Sequence, residues 1–163
     1  MKKIEKQPIS TVFDKAIDFS GVVVMVFLWV FAIFSYATLR QIIPIHYNVS
    51  GGITKWGDKI TLLFFPITAT VIFIGLTLLN RHPQYFNTIN RNSHNAPLQL
   101  KYSMRMLRVL KLTIALAFCL IIAYSHVVVE GVPSPLGPWL LPVTVAVILL
   151  PVGYFIIKLL KLH

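Results

Sequence analysis

The chain has 163 residues, 56% of them hydrophobic and 12% charged, with a mean hydropathy of +0.76, which is too apolar for an ordinary soluble domain and predicts an integral membrane protein. The formal net charge is +10, but the basic residues flank apolar runs as anchors at anionic lipid surfaces do, which excludes nucleic acid as the partner and names the lipid bilayer instead. Cys119 stands alone in an apolar run, excluding an intrachain disulfide and a thiolate metal cluster.

Residues 1–18 mix Lys2, Lys3, Lys6 and Lys15 with Glu5, Asp14 and Asp18, and place Ile9, Val12, Phe13, Ala16 and Ile17 at near-helical spacing. This predicts a separate amphipathic segment at the membrane surface, or a basic tail that only sets topology. Residues 19–163 then form a single membrane domain with spans at about 19–39, 61–79, 111–129 and 139–160. About twenty residues suffice for a hydrocarbon core of ~30 Å at ~1.5 Å per residue. Ser35-Tyr36-Ala37 resembles a signal cleavage site, but the first run is long and holds Trp29, so it reads as an uncleaved anchor.

The second span contains Pro66 about one turn inside its start, where a kink is expected. Residues 80–95 are polar, rich in Asn, and read as a loop. Asn95 suits an N-cap and Pro97 a first helical turn, so a helix starts there and runs unbroken into the third span. Residues 131–138 are a stiff Pro/Gly turn. Pro142 near the start of the fourth span costs little, whereas Pro151 in its interior predicts a kink.

With four spans both termini lie on one side. Lys2, Lys3, Lys6, Lys15, Arg81, Arg91, Lys101, Arg105, Arg108, Lys111, Lys158 and Lys161 then share that side, against Arg40, Lys55 and Lys59 on the other. Twelve against three places the termini in the cytoplasm by the positive-inside rule. The loop at 44–59 faces outward, with Trp56 and Trp139 in the outer aromatic belt.

That loop is the one stretch that membrane spanning does not explain. Ile43 to Tyr47 and Ile53 to Trp56 read as two short strands around an Asn48/Ser50/Gly51/Gly52 turn, a small hairpin cap. Its run P-x-H-x-N, then a glycine turn, then W-G-D-K resembles the membrane domain of unknown function in the N-terminal half of SdpI-type toxin-immunity proteins, where a similar loop follows the first transmembrane helix. The resemblance extends from the first apolar run to about Ser125. It implies an immunity or sensing role in a cell (inner) membrane, with the outer cap engaging a toxin peptide or an envelope signal. SdpI-type proteins carry several further membrane helices after this domain, where the present sequence has one more span.

Away from Lys111 and Lys158 at span ends, the spans hold no Asp, Glu, Lys or Arg, which disfavours an ion-coupled transporter. Ser35, Thr38, Thr68, Thr70, Thr77, Thr113 and Thr144 read as helix-helix hydrogen bonders or back-bonders. His46, Tyr47, Asn48, Gly51, Trp56 and Asp58 form either a recognition surface for an extracytoplasmic peptide or membrane-protein partner or a lid that seals the top of the bundle. His126 and Glu130, four apart, would share a face at the outer end of the third helix, and with His46 they could hold zinc or a similar divalent ion. On the opposite side Arg81, Arg91, Lys101, Arg105 and Arg108 form a basic face for lipid headgroups or a protein partner. No catalytic motif is present, which disfavours an enzyme. The expectation is therefore an all-α integral membrane protein, a four-transmembrane-helix bundle with a small extracytoplasmic hairpin cap. The role is immunity or sensing, with a structural or accessory subunit of a membrane complex and an envelope metalloprotein as alternatives.

Overall fold

Ile17, Gly21, Met25, Leu28, Ala32 and Ser35 recur every three or four residues, and these are the residues that helix α1 (Val12–Thr38) buries. One stripe of an α-helix follows that spacing, so a single continuous helix presents it all to one neighbour. The computed structural model describes residues 10–48, 52–82, 94–129 and 137–162. After α1 the chain forms strands β1 (Ile42–Tyr47) and β2 (Ile53–Asp58), a 3-10 turn (Lys59–Leu63), and helices α2 (Phe64–Arg81), α3 (Ala96–Val129) and α4 (Gly137–Leu160).

α3 is the central element, packing against α1, α2 and α4, while α4 rests chiefly on α3. Its buried positions include Leu100, Met104, Leu107, Lys111, Ala115, Ile122, Ser125 and Val129, again at helical spacing. Leu28, Ala32 and Ile122 are wholly buried in the seam between α1 and α3, and Leu39, Ile43 and Leu62 close that seam at the hairpin end. Gly21 lets α1 approach α2, since a Cβ there would lie 3.1 Å from the Phe73 ring. Trp29 Nε1 donates to Thr70 Oγ1 at 3.0 Å, and Thr70 in turn donates to Pro66 O at 2.7 Å.

The outward faces are as apolar as the seam. Val22, Val26, Val30 and Ile33 on α1, Val71 and Ile74 on α2, and Leu149, Leu150 and Ile157 on α4 are exposed, a continuous apolar exterior far beyond what a water-facing surface carries. Among the described residues four helices are long and apolar enough to cross a membrane: Val12–Thr38, Lys59–Arg81, Ala96–Val129 and Gly137–Leu160.

α1 starts at Val12 and passes straight into the first apolar run, so residues 12–18 are continuous with that helix; residues 1–9 lie outside those described. A capping box sets that start, with Thr11 Oγ1 accepting from the Asp14 amide and Asp14 Oδ2 accepting from the Thr11 amide at 3.0 Å. Pro66 falls in the first turn of α2, directly after the 3-10 turn. As the third residue of α2, Pro66 lies where a missing N–H costs little, because first-turn amides lack an α-helical partner. Gly137 and Pro138 begin α4, which continues through both Pro142 and Pro151, and the rest of the expected Pro/Gly turn lies outside the described residues, as does most of the 80–95 loop. The long helix anticipated after Asn95 is present, with the amides of Leu98 and Gln99 both donating to Asn95 O at 3.0 Å.

Candidate functional site

β1 and β2 pair antiparallel, Ile42 with Asp58, Ile43 with Gly57 and Pro44 with Trp56, and the register shifts on either side of His46. Shifts of this kind break strict alternation, so neighbouring residues no longer face cleanly apart. The turn is closed by Asn48, whose amide donates to Gly52 O at 2.8 Å while its Oδ1 accepts from the Gly52 amide at 2.7 Å. Gly57 packs closely on Ile45, where a Cβ would lie 2.6 Å from Ile45 Cδ1 and that side chain would have to shift. At the base, the Lys59 amide donates to Gln41 O at 2.9 Å, and Lys59 Nζ donates to Leu39 O at 3.3 Å and lies 4.8 Å over the Tyr36 ring.

Asp58 joins the hairpin to α2. Its Oδ1 accepts from the Ile60 amide at 2.8 Å and its Oδ2 from Gln41 Nε2 at 2.6 Å. These two donors, led by the Ile60 amide, hold its carboxyl below the ordinary carboxylate range. Tyr47 anchors the far end on α3. Its ring meets Tyr124 edge-on at 5.1 Å, and its hydroxyl makes a long hydrogen bond of 3.4 Å to Ser125 Oγ. Burial raises the Tyr47 hydroxyl above its ordinary value, against the opposing effect of Ser125.

Docked in this way, the hairpin covers a cavity of about 300 Å³ that reaches α3 and α4. Its polar lining is His46, Tyr47, Asn48, Thr61, Ser125 and Thr144; the remainder is mostly aliphatic, including Ile45, Leu62, Phe65, Ile121 and Leu141, and among the described residues no Asp, Glu, Lys or Arg lines it. Most of the spans' hydroxyls are occupied locally. Thr38 donates to Phe34 O, Thr113 to Leu110 O and Ser125 to Ile121 O, and Thr77 accepts from Lys111 Nζ. Thr144 Oγ1, like Ser35 Oγ, is buried with no hydrogen-bond partner among the described residues. A neutral donor and acceptor left open at the wall of a lined cavity is what a bound polar group would satisfy.

The structure divides the anticipated recognition set. His46, Tyr47 and Asn48 line the cavity, whereas Trp56 and Asp58 do not; Trp56 is exposed, Asp58 acts as a cap, and Gly51 lies outside the described residues. Of the anticipated metal set, His46 and His126 are described and Glu130 is not. His126 packs its ring between Phe31 and Phe34 of α1, with centroids 5.9 and 5.8 Å away, while His46 sits at the cavity. Glu130 lies outside the described residues, and among those described no three His, Cys, Asp or Glu side chains are grouped to hold a metal.

The basic face is also divided. Arg105 Nε meets Asp14 Oδ1 at 2.7 Å, Arg108 lies 3.1 Å from Asp18 and 3.5 Å from Asp14, and Lys111 Nζ lies 2.7 Å from Asp18 Oδ1. Arg105 and Arg108 therefore turn inward to α1. Lys101 is half-buried on α3, Arg81 is exposed at the end of α2, and Arg91 lies outside the described residues. Sequence reasoning missed Asp14 and Asp18 as partners. The signal was there: acids four apart on one helix match bases three apart on another, so each set forms one face.

Fold and site together define a mostly helical protein with four helices of membrane-crossing length and a β-hairpin docked over a cavity. Residues 23–70, which run from α1 through the hairpin into α2, match the family described as Domain of unknown function (DUF1648). An uncharacterized protein of Archaeoglobus fulgidus is 28% identical over 81 residues, covering 45% of this chain and 44% of that protein. The alignment thus spans less than half the length of that relative. No solved structure matches the chain.

Proposed function

We propose that this is an integral membrane protein of immunity or sensing type, with its termini in the cytoplasm and its hairpin outside, and that the cavity beneath the hairpin binds the apolar end of a peptide or envelope signal. The observation that carries this reading is the cavity of about 300 Å³ with its unpartnered Thr144 hydroxyl. That volume is at the lower limit of the ~300–1,000 Å³ typical of small-ligand sites, so it accommodates one end of a peptide. A largely aliphatic lining that holds no Asp, Glu, Lys or Arg among the described residues favours a largely apolar group with a polar tip for Thr144 and Ser125. The resemblance to SdpI-type immunity proteins supports the choice of a peptide, and the excess of Lys and Arg on the terminal side supports the orientation.

The test is protection. Cells expressing the wild-type chain, Thr144→Trp, Thr144→Val or Leu149→Trp at equal membrane levels are challenged with a panel of apolar membrane-active peptides, and survival is scored. Wild type and Leu149→Trp protect against at least one peptide, Thr144→Trp loses protection by filling the cavity, and Thr144→Val weakens it ~3–10-fold through the loss of one hydrogen bond. Equal protection by Thr144→Trp and wild type would sink the cavity reading, and absence of protection by wild type would sink the immunity role.

A further inference from the structure

At the opposite end of the bundle from the hairpin, a second cavity of about 420 Å³ opens between α1, α2 and α3. Its charged lining is Arg81, Arg108, Lys111 and Asp18, joined by Thr77 and Asn80, while Val22, Phe73 and Met104 form an apolar wall. Lys111 is held in place, with its Nζ 3.3 Å from Thr77 Oγ1 and 4.7 Å over the Phe73 ring, and its side chain is 5% exposed. Ion pairing does not balance the charge. Asp14 and Asp18 face Arg105, Arg108 and Lys111, two negative charges against three positive, and Arg81 at the cavity rim adds a fourth cation with no ion pair among the described residues. The excess is therefore two positive charges. The Asp18 carboxylate also lines the cavity, paired with Arg108 Nε at 3.1 Å and Lys111 Nζ at 2.7 Å, and with Arg81 beside them the lining keeps a positive excess. Arg81 is exposed and holds no ion pair among the described residues, which leaves its guanidinium donors open at the cavity rim, and a guanidinium with open donors matches the geometry of a phosphate.

We propose that this cavity is a phosphate-binding site, filled by the headgroup of an anionic phospholipid whose glycerol and first acyl carbons lie on Val22, Phe73 and Met104. Arg81 and Arg108 contact the phosphate oxygens and Lys111 supplies the buried charge beneath them. The site is distinct from the hairpin cavity in its residues, its end of the bundle and the sign of its ligand.

The test is native mass spectrometry of the full chain in mild detergent, titrated separately with phosphatidylglycerol, phosphatidylcholine and inorganic phosphate. The informative variant is Arg81→Gln, since Arg81 is exposed and makes no ion pair that supports the fold; Lys101→Gln, a cation on α3 that does not line the cavity, is the control. Phosphatidylglycerol binds more tightly than phosphatidylcholine, and Arg81→Gln weakens it ~10–150-fold, the loss of one charged hydrogen bond, while Lys101→Gln changes it less than twofold. Tight binding of inorganic phosphate that is equally sensitive to Arg81→Gln would keep the phosphate site but assign it to a soluble phosphate compound. If Arg81→Gln and Lys101→Gln have the same effect, or if phosphatidylcholine binds as well as phosphatidylglycerol, the proposal is overturned.

Discussion

Replacing Asp14 by Asn should be among the most damaging single changes outside the apolar seam. Asp14 is 2% exposed, accepts from the Thr11 amide and from Arg105 Nε, and lies within 3.5 Å of Arg108 Nη1. Asn keeps an oxygen for the Thr11 cap but removes the charge, so Arg105, whose side chain is only 18% exposed, is left without its counter-ion. Removing one partner of a buried pair costs ~3–5 kcal/mol, whereas an exposed pair contributes ~0–1 kcal/mol. At ~2–4 °C per kcal/mol for a chain of this size, the melting temperature should fall by ~6–20 °C. Circular dichroism melts in mild detergent of Asp14→Asn, Arg105→Gln and the double variant close a thermodynamic cycle, and the coupling should be ~1.5–3 kcal/mol. The pair Asp18 and Lys111 provides the comparison, because the Asp18 side chain is 39% exposed and solvent screening must reduce its coupling well below that of Asp14 and Arg105. Additive effects for Asp14 and Arg105, within ~0.5 kcal/mol, would refute the claim that this pair locks α1 to α3.

Three further outcomes follow from the hairpin. Tyr47→Phe removes only a long hydrogen bond of 3.4 Å and should cost under ~1 kcal/mol, whereas Tyr47→Ala also loses the edge contact with Tyr124 and should cost ~3–5 kcal/mol, read by hydrogen exchange of the β1 amides. Gly57→Val drives a side chain into Ile45, 2.6 Å from its Cδ1 before any relaxation; it should destabilise the cap by ~1–3 kcal/mol, with partial rescue by Ile45→Ala in thermal melts. Asp58 has a lowered pKa when folded, so its contribution is complete above the ordinary carboxylate value and is lost as pH falls through the folded value. The Ile60 amide resonance should track that loss, and the pH dependence should vanish in Asp58→Asn.

Much of the architecture was legible because it rests on local pattern. The apolar runs, the helix start after Asn95 and the hairpin around Asn48 and Gly52 each depend on residues close in sequence, where spacing and turn chemistry act directly. Boundaries were less legible where tertiary pairing extends a helix. Val12 to Asp18 looked like a separate surface segment because its charges resemble a headgroup anchor, but Asp14 and Asp18 meet Arg105, Arg108 and Lys111 some ninety residues later. That pairing draws the segment into α1. The candidate site was half-legible for the same reason. His46, Tyr47 and Asn48 could be singled out as an odd loop, yet the far wall is built from Ser125 and Thr144, ordinary span hydroxyls until α3 and α4 bring them under the hairpin. His126 shows the converse: spacing gave it a ligand's position, and packing turned it to Phe31 and Phe34.

The most direct test of the central claim is photocrosslinking in living cells from two positions on α4, Leu141 at the cavity and Leu149 on the open apolar face, each replaced by a photoreactive phenylalanine analogue, with adducts identified by mass spectrometry. A ligand site beneath the hairpin predicts a peptide-derived adduct at Leu141 that is absent at Leu149 and disappears when Thr144→Trp is added. Identical adducts at Leu141 and Leu149, lipid or otherwise, would contradict it.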